Sequence, residues 1–263
     1  MKKYSIILLA LVALAGCEKD NETHYTVRRL SSFEESAPDG SQKRVETYTY
    51  NSEGYDIRST LDGTLTGTVS YRYGADSLVR TDSTVTDGVL KLESTTVTRY
   101  LNEYRNDISS VETVYADGSP VRLESYSYDN GTCTITVTEG GVPVSQQVIS
   151  NLYNGTTASD YDYDPAEDEW VFAGREDFIY SDYLRNTLVS HNTYDSEDVL
   201  KESEVYSYDR ETTTAITYVG DVATLKNVFV NSGLRIVFER FKAVEGVWTE
   251  TTKGFYQYEY VTM

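Results

Sequence analysis

Two cysteines, Cys17 and Cys133, stand in 263 residues, so no disulfide framework holds this chain together. Cys133 alternates with Ile135 and Val137, the pattern of a small buried hydrophobe. Proline (four), methionine, tryptophan and histidine (two each) are also scarce. The histidines, His24 and His191, lie outside any HExxH pattern. No Gly-x-Ser-x-Gly elbow or Walker loop occurs. These absences point away from an enzyme and name no cofactor and no metal site. Basic residues are few: Lys and Arg total 23 against 42 Asp and Glu, a net charge of −19. A chain this acidic repels nucleic-acid phosphate and an anionic membrane surface. No window places apolar residues at helical spacing over three turns, and the longest apolar run, Ile6–Leu14, is too short to span a bilayer.

What is present begins with an address. Lys2 and Lys3 precede that apolar run, and Leu14-Ala15-Gly16 ends it before Cys17, as in a secretory signal covering residues 1–16. The cysteine after Leu-Ala-Gly resembles the lipobox of bacterial lipoproteins, which implies cleavage before Cys17 and a lipid on its sulfur. The structural alternative is an ordinary signal peptide with a chance cysteine. Residues 18–22, Glu-Lys-Asp-Asn-Glu, resemble the surface-export signal of Bacteroidota lipoproteins, which implies an outer-membrane protein exposed at the cell surface. A plain solvated tether facing the periplasm is the other reading. Residues 17–40 are assigned to the lipidated N-terminus and tether, and 41–263 to a single β domain.

Tyrosine is heavily used, at 24 residues, and with abundant threonine suits pleated, half-buried surfaces. Period-two aromatic pairs recur: Tyr48/Tyr50, Tyr71/Tyr73, Tyr126/Tyr128, Tyr206/Tyr208 and Tyr256/Tyr258. Tyr126, Tyr153, Tyr180 and Tyr206 are 27, 27 and 26 residues apart, the mark of a repeated supersecondary unit. Turns follow the aromatic pairs at Asn51–Gly54, Gly74–Ser77, Asp129–Gly131 and Asn231–Gly233. A second set falls near mid-period, including Asp62-Gly63, Asp87-Gly88, Asp117-Gly118 and Glu245-Gly246. Asp-Gly supplies the positive φ that two-residue hairpins require. The spacing predicts an all-β antiparallel meander of roughly 16–18 strands, each pairing with its chain neighbours. A longer match supports the register. Trp170, Arg175, Phe178 and Tyr180 are repeated by Trp248, Lys253, Tyr256 and Tyr258, 78 residues on.

The Tyr-x-Tyr-Asp turns resemble the YD repeats of secreted bacterial shell proteins. The Trp–basic–Tyr-x-Tyr form resembles Bacteroidota lipoprotein domains of unknown function with a porin-like fold, over about residues 45–260. The resemblance implies a fold and an address, and no activity. A sheet this long curls, splits or closes. Thr132, Thr134, Thr136 and Thr138 share one strand face, and Ser70 and Arg72 another, so the strands are wet on one side. A membrane barrel needs an outward apolar band about 25 Å tall. The expectation is a barrel-like sheet hung from the outer membrane by lipid, with an open coiled single-layer sheet as the alternative.

For function, two classes remain beside a remote enzymatic one. One is a non-catalytic envelope module binding glycan or peptide; the other is a structural or interaction protein with no small-molecule site. The tyrosine rows either offer flat rings for stacking on sugars or peptides or fill the packed face, and period-two aromatics favour the packed face. His191, beside Asn192, reads as a surface polar residue. Asp160, Asp162 and Asp164 alternate, but Pro165 stands where an EF-hand requires glycine, so an acidic turn is expected and no metal. A ligand site is expected in Ser159–Phe172, at Tyr161, Tyr163 and Trp170. Those tyrosines form an extra aromatic pair off the row spacing, next to a long acidic turn. Against it, Trp248 repeats Trp170 without such a turn.

Overall fold

A computed structural model describes residues 26–102, 107–152, 154–181 and 187–262. The signal, Cys17, His24 and Tyr153 lie outside the described residues. Eighteen strands are present, and no helix, among the described residues. The first six are β1 (Thr26–Ser36), β2 (Arg44–Asn51), β3 (Gly54–Leu61), β4 (Thr64–Tyr73), β5 (Ser77–Thr86) and β6 (Val89–Tyr100). The next are β7 (Ile108–Tyr115), β8 (Arg122–Asp129), β9 (Thr132–Glu139), β10 (Val142–Leu152), β11 (Gly155–Asp164) and β12 (Glu169–Tyr180). The last are β13 (Leu188–Tyr194), β14 (Leu200–Asp209), β15 (Thr212–Val219), β16 (Val222–Ser232), β17 (Arg235–Val244) and β18 (Val247–Thr262).

Every strand pairs antiparallel with its chain neighbours, as the alternation and turn spacing require. β18 also pairs with β1, from Thr26 opposite Thr262 to Ser36 opposite Lys253, so the sheet closes into a barrel. The open coiled sheet is therefore not formed. The tether assigned to residues 17–40 needs correction, because its residues 26–36 are the closing strand. Leu30 and Phe33 are the only apolar anchors in β1 past Val27, too few to show a strand by periodicity. Their partner strand lies more than 200 residues away. The turns behave as their chemistry dictates. Asp62 and Gly63 have φ of 48° and 82°, and Asp87 and Gly88 have 55° and 76°, the two positive values of a type I′ hairpin.

The barrel consists of three six-stranded units, β1–β6, β7–β12 and β13–β18. Register breaks recur in step. The β5–β6 pair slips at Asp82/Ser83, β11–β12 at Asp160/Tyr161, and β17–β18 at Arg240/Phe241. The junctions between units also slip at one place each: Arg99/Tyr100, Ile179/Tyr180 and, at closure, Leu30/Ser32. The second strand of each unit carries Glu-x-Tyr-x-Tyr: Glu46–Tyr50, Glu124–Tyr128 and Glu204–Tyr208. The first tyrosine donates to that glutamate, at 2.9 Å for Tyr48, at 3.1 Å for Tyr126, and in a short bond for Tyr206. The second donates to a carbonyl twenty residues upstream: Tyr50 to Leu30 at 2.8 Å, Tyr128 to Ile108 at 3.0 Å, and Tyr208 to Leu188 at 2.8 Å. Each phenol bridges the place where the first two strands of a unit diverge. The β1–β2 and β7–β8 ladders hold only four residue pairs each.

Among the described residues eight side chains are buried, Phe33, Val137, Ala158, His191, Ala215, Thr217, Ile236 and Phe238, and all of them share one face of the sheet. On a closed sheet the concave side has less room per side chain, so this face is the inner one. The tyrosine rows share it, since Tyr48 and Tyr50 alternate with Glu46, the partner of Phe33. The outward face carries Asp56, Arg58, Ser70, Arg72, Glu112 and the threonines of β9. Exposed apolar side chains, Leu90, Leu92, Val114 and Val205 among them, are interspersed with these on the same face. Barrels of 16–18 strands enclose water, and this core is accordingly sparse. Its densest part lies at the closure. Phe238 is 0 % exposed, its ring 5.8 Å from that of Phe33 and 5.5 Å from that of Tyr256. Gly254 makes this possible: a Cβ there would fall 1.9 Å from the Glu34 carbonyl oxygen and 2.7 Å from the Phe238 ring.

Candidate functional site

The β11–β12 hairpin brings Tyr161, Tyr163 and Trp170 together. Asp160 faces inward opposite Gly174, so Tyr161 and Tyr163 face outward by alternation. Ala173 is the extra residue of the bulge. It carries the far half of β12 into the register that sets Phe172 against Tyr161 and Trp170 against Tyr163. The Tyr163 and Trp170 rings lie 5.1 Å apart at 60°, and those of Tyr161 and Phe172 5.8 Å apart at 70°. Both spacings fall in the favourable range for aromatic pairs, worth ~0.5–1.5 kcal/mol beyond area burial. Four partly exposed rings thus form a two-step ladder on the outside of the barrel.

The turn fixes the upper step. Ala166 N–H donates to Asp164 Oδ1 at 2.8 Å, and Asp168 takes a φ of 55°. From there its carboxylate accepts a short hydrogen bond from the Tyr163 hydroxyl, which raises the phenol's pKa. Pro165, Ala166, Glu167, Asp168 and Glu169 are exposed. Asp160 lies deeper, where burial raises its pKa although Gln147 donates to it at 2.9 Å. No cluster able to hold a metal ion occurs among the described residues.

The repeat supplies an internal comparison. In the third unit Trp248 and Phe241 hold the places of Trp170 and Tyr161. There the ammonium of Lys226 sits 4.3 Å over the Phe241 ring and 5.3 Å from that of Trp248. In the second unit Gln146 holds the place of Lys226 and reaches back to Thr136 at 3.3 Å. The ladder keeps its aromatic faces; the Trp248 patch is capped by a cation. Phe172 and Asp168 complete the ladder and were not singled out by sequence. Phe172 could have been found, being two residues past Trp170 on a strand.

His191 is not a surface residue. It is 7 % exposed on the inner face, stacked on Phe178 with ring centroids 4.4 Å apart and 7° between planes. Its Nε2 lies 3.3 Å from Glu176 Oε2, and that contact holds the Glu176 carboxyl below its usual pKa. Phe33 and Val111 occupy the corresponding places in the other units. The imidazole therefore fills a packing position. A shallow cavity of about 350 Å³ opens beside Tyr128, Asn130 and Cys133 at the other end of the barrel, remote from the ladder.

No protein-family model and no curated protein matches this chain. Several solved structures do. A protein of unknown function from Bacteroides fragilis NCTC 9343 is similar at 14 % identity over 48 % of this chain and 91 % of its own, with a TM-score of 0.30. A double mutant of the vaccine antigen Transferrin Binding Protein B from Haemophilus parasuis Hp5 is similar at 9 % identity over 90 % of this chain and 76 % of its own, TM-score 0.23. A porin-like protein from Bacteroides uniformis ATCC 8492 is similar at 13 % identity over 88 % of this chain and 96 % of its own, with a TM-score of 0.46.

Proposed function

We propose that this protein is a cell-envelope lipoprotein that binds a glycan or a peptide without catalysis, through Tyr161, Tyr163 and Trp170. The observation that carries the reading is the outward aromatic ladder, with its upper ring locked by Asp168. Flat apolar faces beside carboxylates suit a sugar's C–H face and its hydroxyls, or an extended peptide. The anchor is the lipid on Cys17, in the outer membrane and at the cell surface; the periplasmic face is the alternative. No nucleic acid and no cofactor takes part.

The second reading, a structural protein without a small-molecule site, is favoured by one observation: Trp248 repeats Trp170 in register and is covered by Lys226. A panel of glycans and peptides, screened against the wild type, Trp170→Ala and Trp248→Ala, separates the two. Binding lost selectively in Trp170→Ala supports the site. Equal loss of stability in both variants, with no selective loss of binding, makes the tryptophans structural.

A further inference from the structure

Chain direction places the turns Asp62-Gly63, Asp87-Gly88, Gly140-Gly141, Gly220-Asp221 and Glu245-Gly246 at one end of the barrel. The residues flanking these turns face inward by alternation. Leu61 follows Ile57 and Ser59, Val219 follows Ala215 and Thr217, and Val244 follows Arg240 and Lys242. Leu61, Val89, Val142, Val222, Val244 and Val247 are nonetheless 44 to 66 % exposed. Together they line the inside of the mouth with exposed apolar side chains, densest at the neighbouring β15–β16 and β17–β18 hairpins and alternating elsewhere with Thr64, Thr86 and Glu139. The turns do not require them. Thr64 and Thr86 occupy the same flanking position, so a β-branched polar residue serves as well. An exposed apolar patch rimmed by polar groups marks an interaction surface.

We infer that this mouth is a docking lip for a protein partner that presents an apolar segment flanked by lysine or arginine. Charge selects the basic flanks. The turns beyond the lip carry Asp62, Asp87, Asp221 and Glu245, and the β11–β12 hairpin replaces the apolar lip residues with Asp164 and Glu169. Among the described residues Lys91, Lys242, Arg44 and Arg122 approach this rim from the inner face; Arg44 is paired with Glu35 and Glu46, and Arg122 with Glu124 and Glu139, which leaves Lys91 and Lys242 against these carboxylates. The same carboxylates oppose a lipid surface, which is itself anionic, and oppose mouth-to-mouth pairing of two copies. Position argues the same way. β1 enters the barrel at Thr26, at the opposite end, roughly 25 Å away for a tilted ten-residue strand. A lipid on the N-terminal segment would hold that end to the membrane and leave the lip pointing outward.

The test uses the purified protein and four probes: a short Leu/Lys peptide, a Gly/Lys peptide of equal charge, phosphatidylcholine vesicles, and vesicles with added phosphatidylglycerol. Trp170 and Trp248 sit on the outer side of the same end and report by fluorescence; calorimetry gives the affinity. The key variant combines Val89→Thr, Val142→Thr, Val222→Thr and Val247→Thr. These swaps keep the branched shape at exposed positions, and thermal melting confirms the fold. The Leu/Lys peptide should bind saturably, and the variant should weaken it about tenfold or more. The Gly/Lys peptide should bind at least about tenfold more weakly, and neither vesicle should bind. Equal affinity of wild type and variant overturns the inference, as does equal affinity for the two peptides. Threonine-sensitive vesicle binding would make the lip a membrane contact, and threonine-sensitive dimerisation in sedimentation would make it a self-contact. Trp170→Ala, read by calorimetry, should leave Leu/Lys binding intact, so this lip and the outward ladder stand or fall separately.

Discussion

Removing one ring at the closure should cost more than any other single truncation in the molecule. Phe238 is fully buried, packs against Phe33, Tyr256 and Phe229, and lies under the guanidinium of Arg240 at 5.0 Å. Phe238→Ala removes the ring and leaves a cavity. Backbone pairing on both sides fixes β17, so the site collapses poorly. The expected loss is ~3–5 kcal/mol. For a chain of this size that lowers Tm by about 10 °C, at ~2–4 °C per kcal/mol. The control is Arg80→Ala. Arg80 holds the corresponding place in the first unit, is half exposed and is paired to Asp82 at 2.6 Å. An exposed pair contributes ~0–1 kcal/mol. Urea unfolding followed by far-UV circular dichroism reads both, with the slope checked for constancy. A Phe238→Ala loss below about 1.5 kcal/mol, or equal to that of Arg80→Ala, would refute the claim that the closure holds the core. Phe33→Ala combined with Phe238→Ala should be non-additive by ~0.5–3 kcal/mol, since the two rings share one cluster.

Tyr50→Phe, Tyr128→Phe and Tyr208→Phe should each lose ~1 kcal/mol, because each hydroxyl serves a carbonyl at a diverging ladder; a loss near zero in all three would show the bridges to be incidental. Burial, and then Glu46, Glu124 and Glu204, raise the pKa of Tyr48, Tyr126 and Tyr206. Their contribution is whole below the unfolded value of 10 and falls as pH rises past it, so the barrel should unfold on alkaline titration, with phenolate absorbance rising together with loss of β-structure. Phenolate appearing while the sheet stays intact would contradict this. Cys17→Ala should release the protein from membranes or leave it unprocessed; unchanged fractionation and processing would sink the lipoprotein reading.

The hairpins were legible because their signals are local. Asp62-Gly63 or Asn130-Gly131 between alternating strands states a turn within a few residues. The 78-residue echo of Trp170 in Trp248 already contained the six-stranded unit. Closure was expected from the length of the sheet; the strand that makes it was not legible, since β1 offers few apolar residues and finds its partner across the whole chain. His191 was misread because its burial comes from Phe178 and Glu176 on a neighbouring strand. Tyr161 and Tyr163 broke the row spacing for a physical reason: the rows face inward and this pair faces out. Phe172 joined them only through the bulge at Ala173, which no local pattern announces.

The equivalence of the three units has a kinetic cost. All pairings but one join strands adjacent in the chain, so the meander can grow quickly from the N-terminus. The exception joins Thr26 to Thr262, a loop whose closure entropy is roughly 5 kcal/mol. β12 presents the same edge as β18, and it exists earlier. A chain with two units made could close β12 onto β1 and trap a twelve-stranded ring. In that ring Phe33 would meet Phe178, with Ala158 in the place of Phe238 and Glu176 in the place of Gly254. The large ring would be missing, and a carboxylate would sit where the finished barrel needs no side chain at all. The aromatic clasp and its glycine thus make the third edge a better fit to β1 than the second.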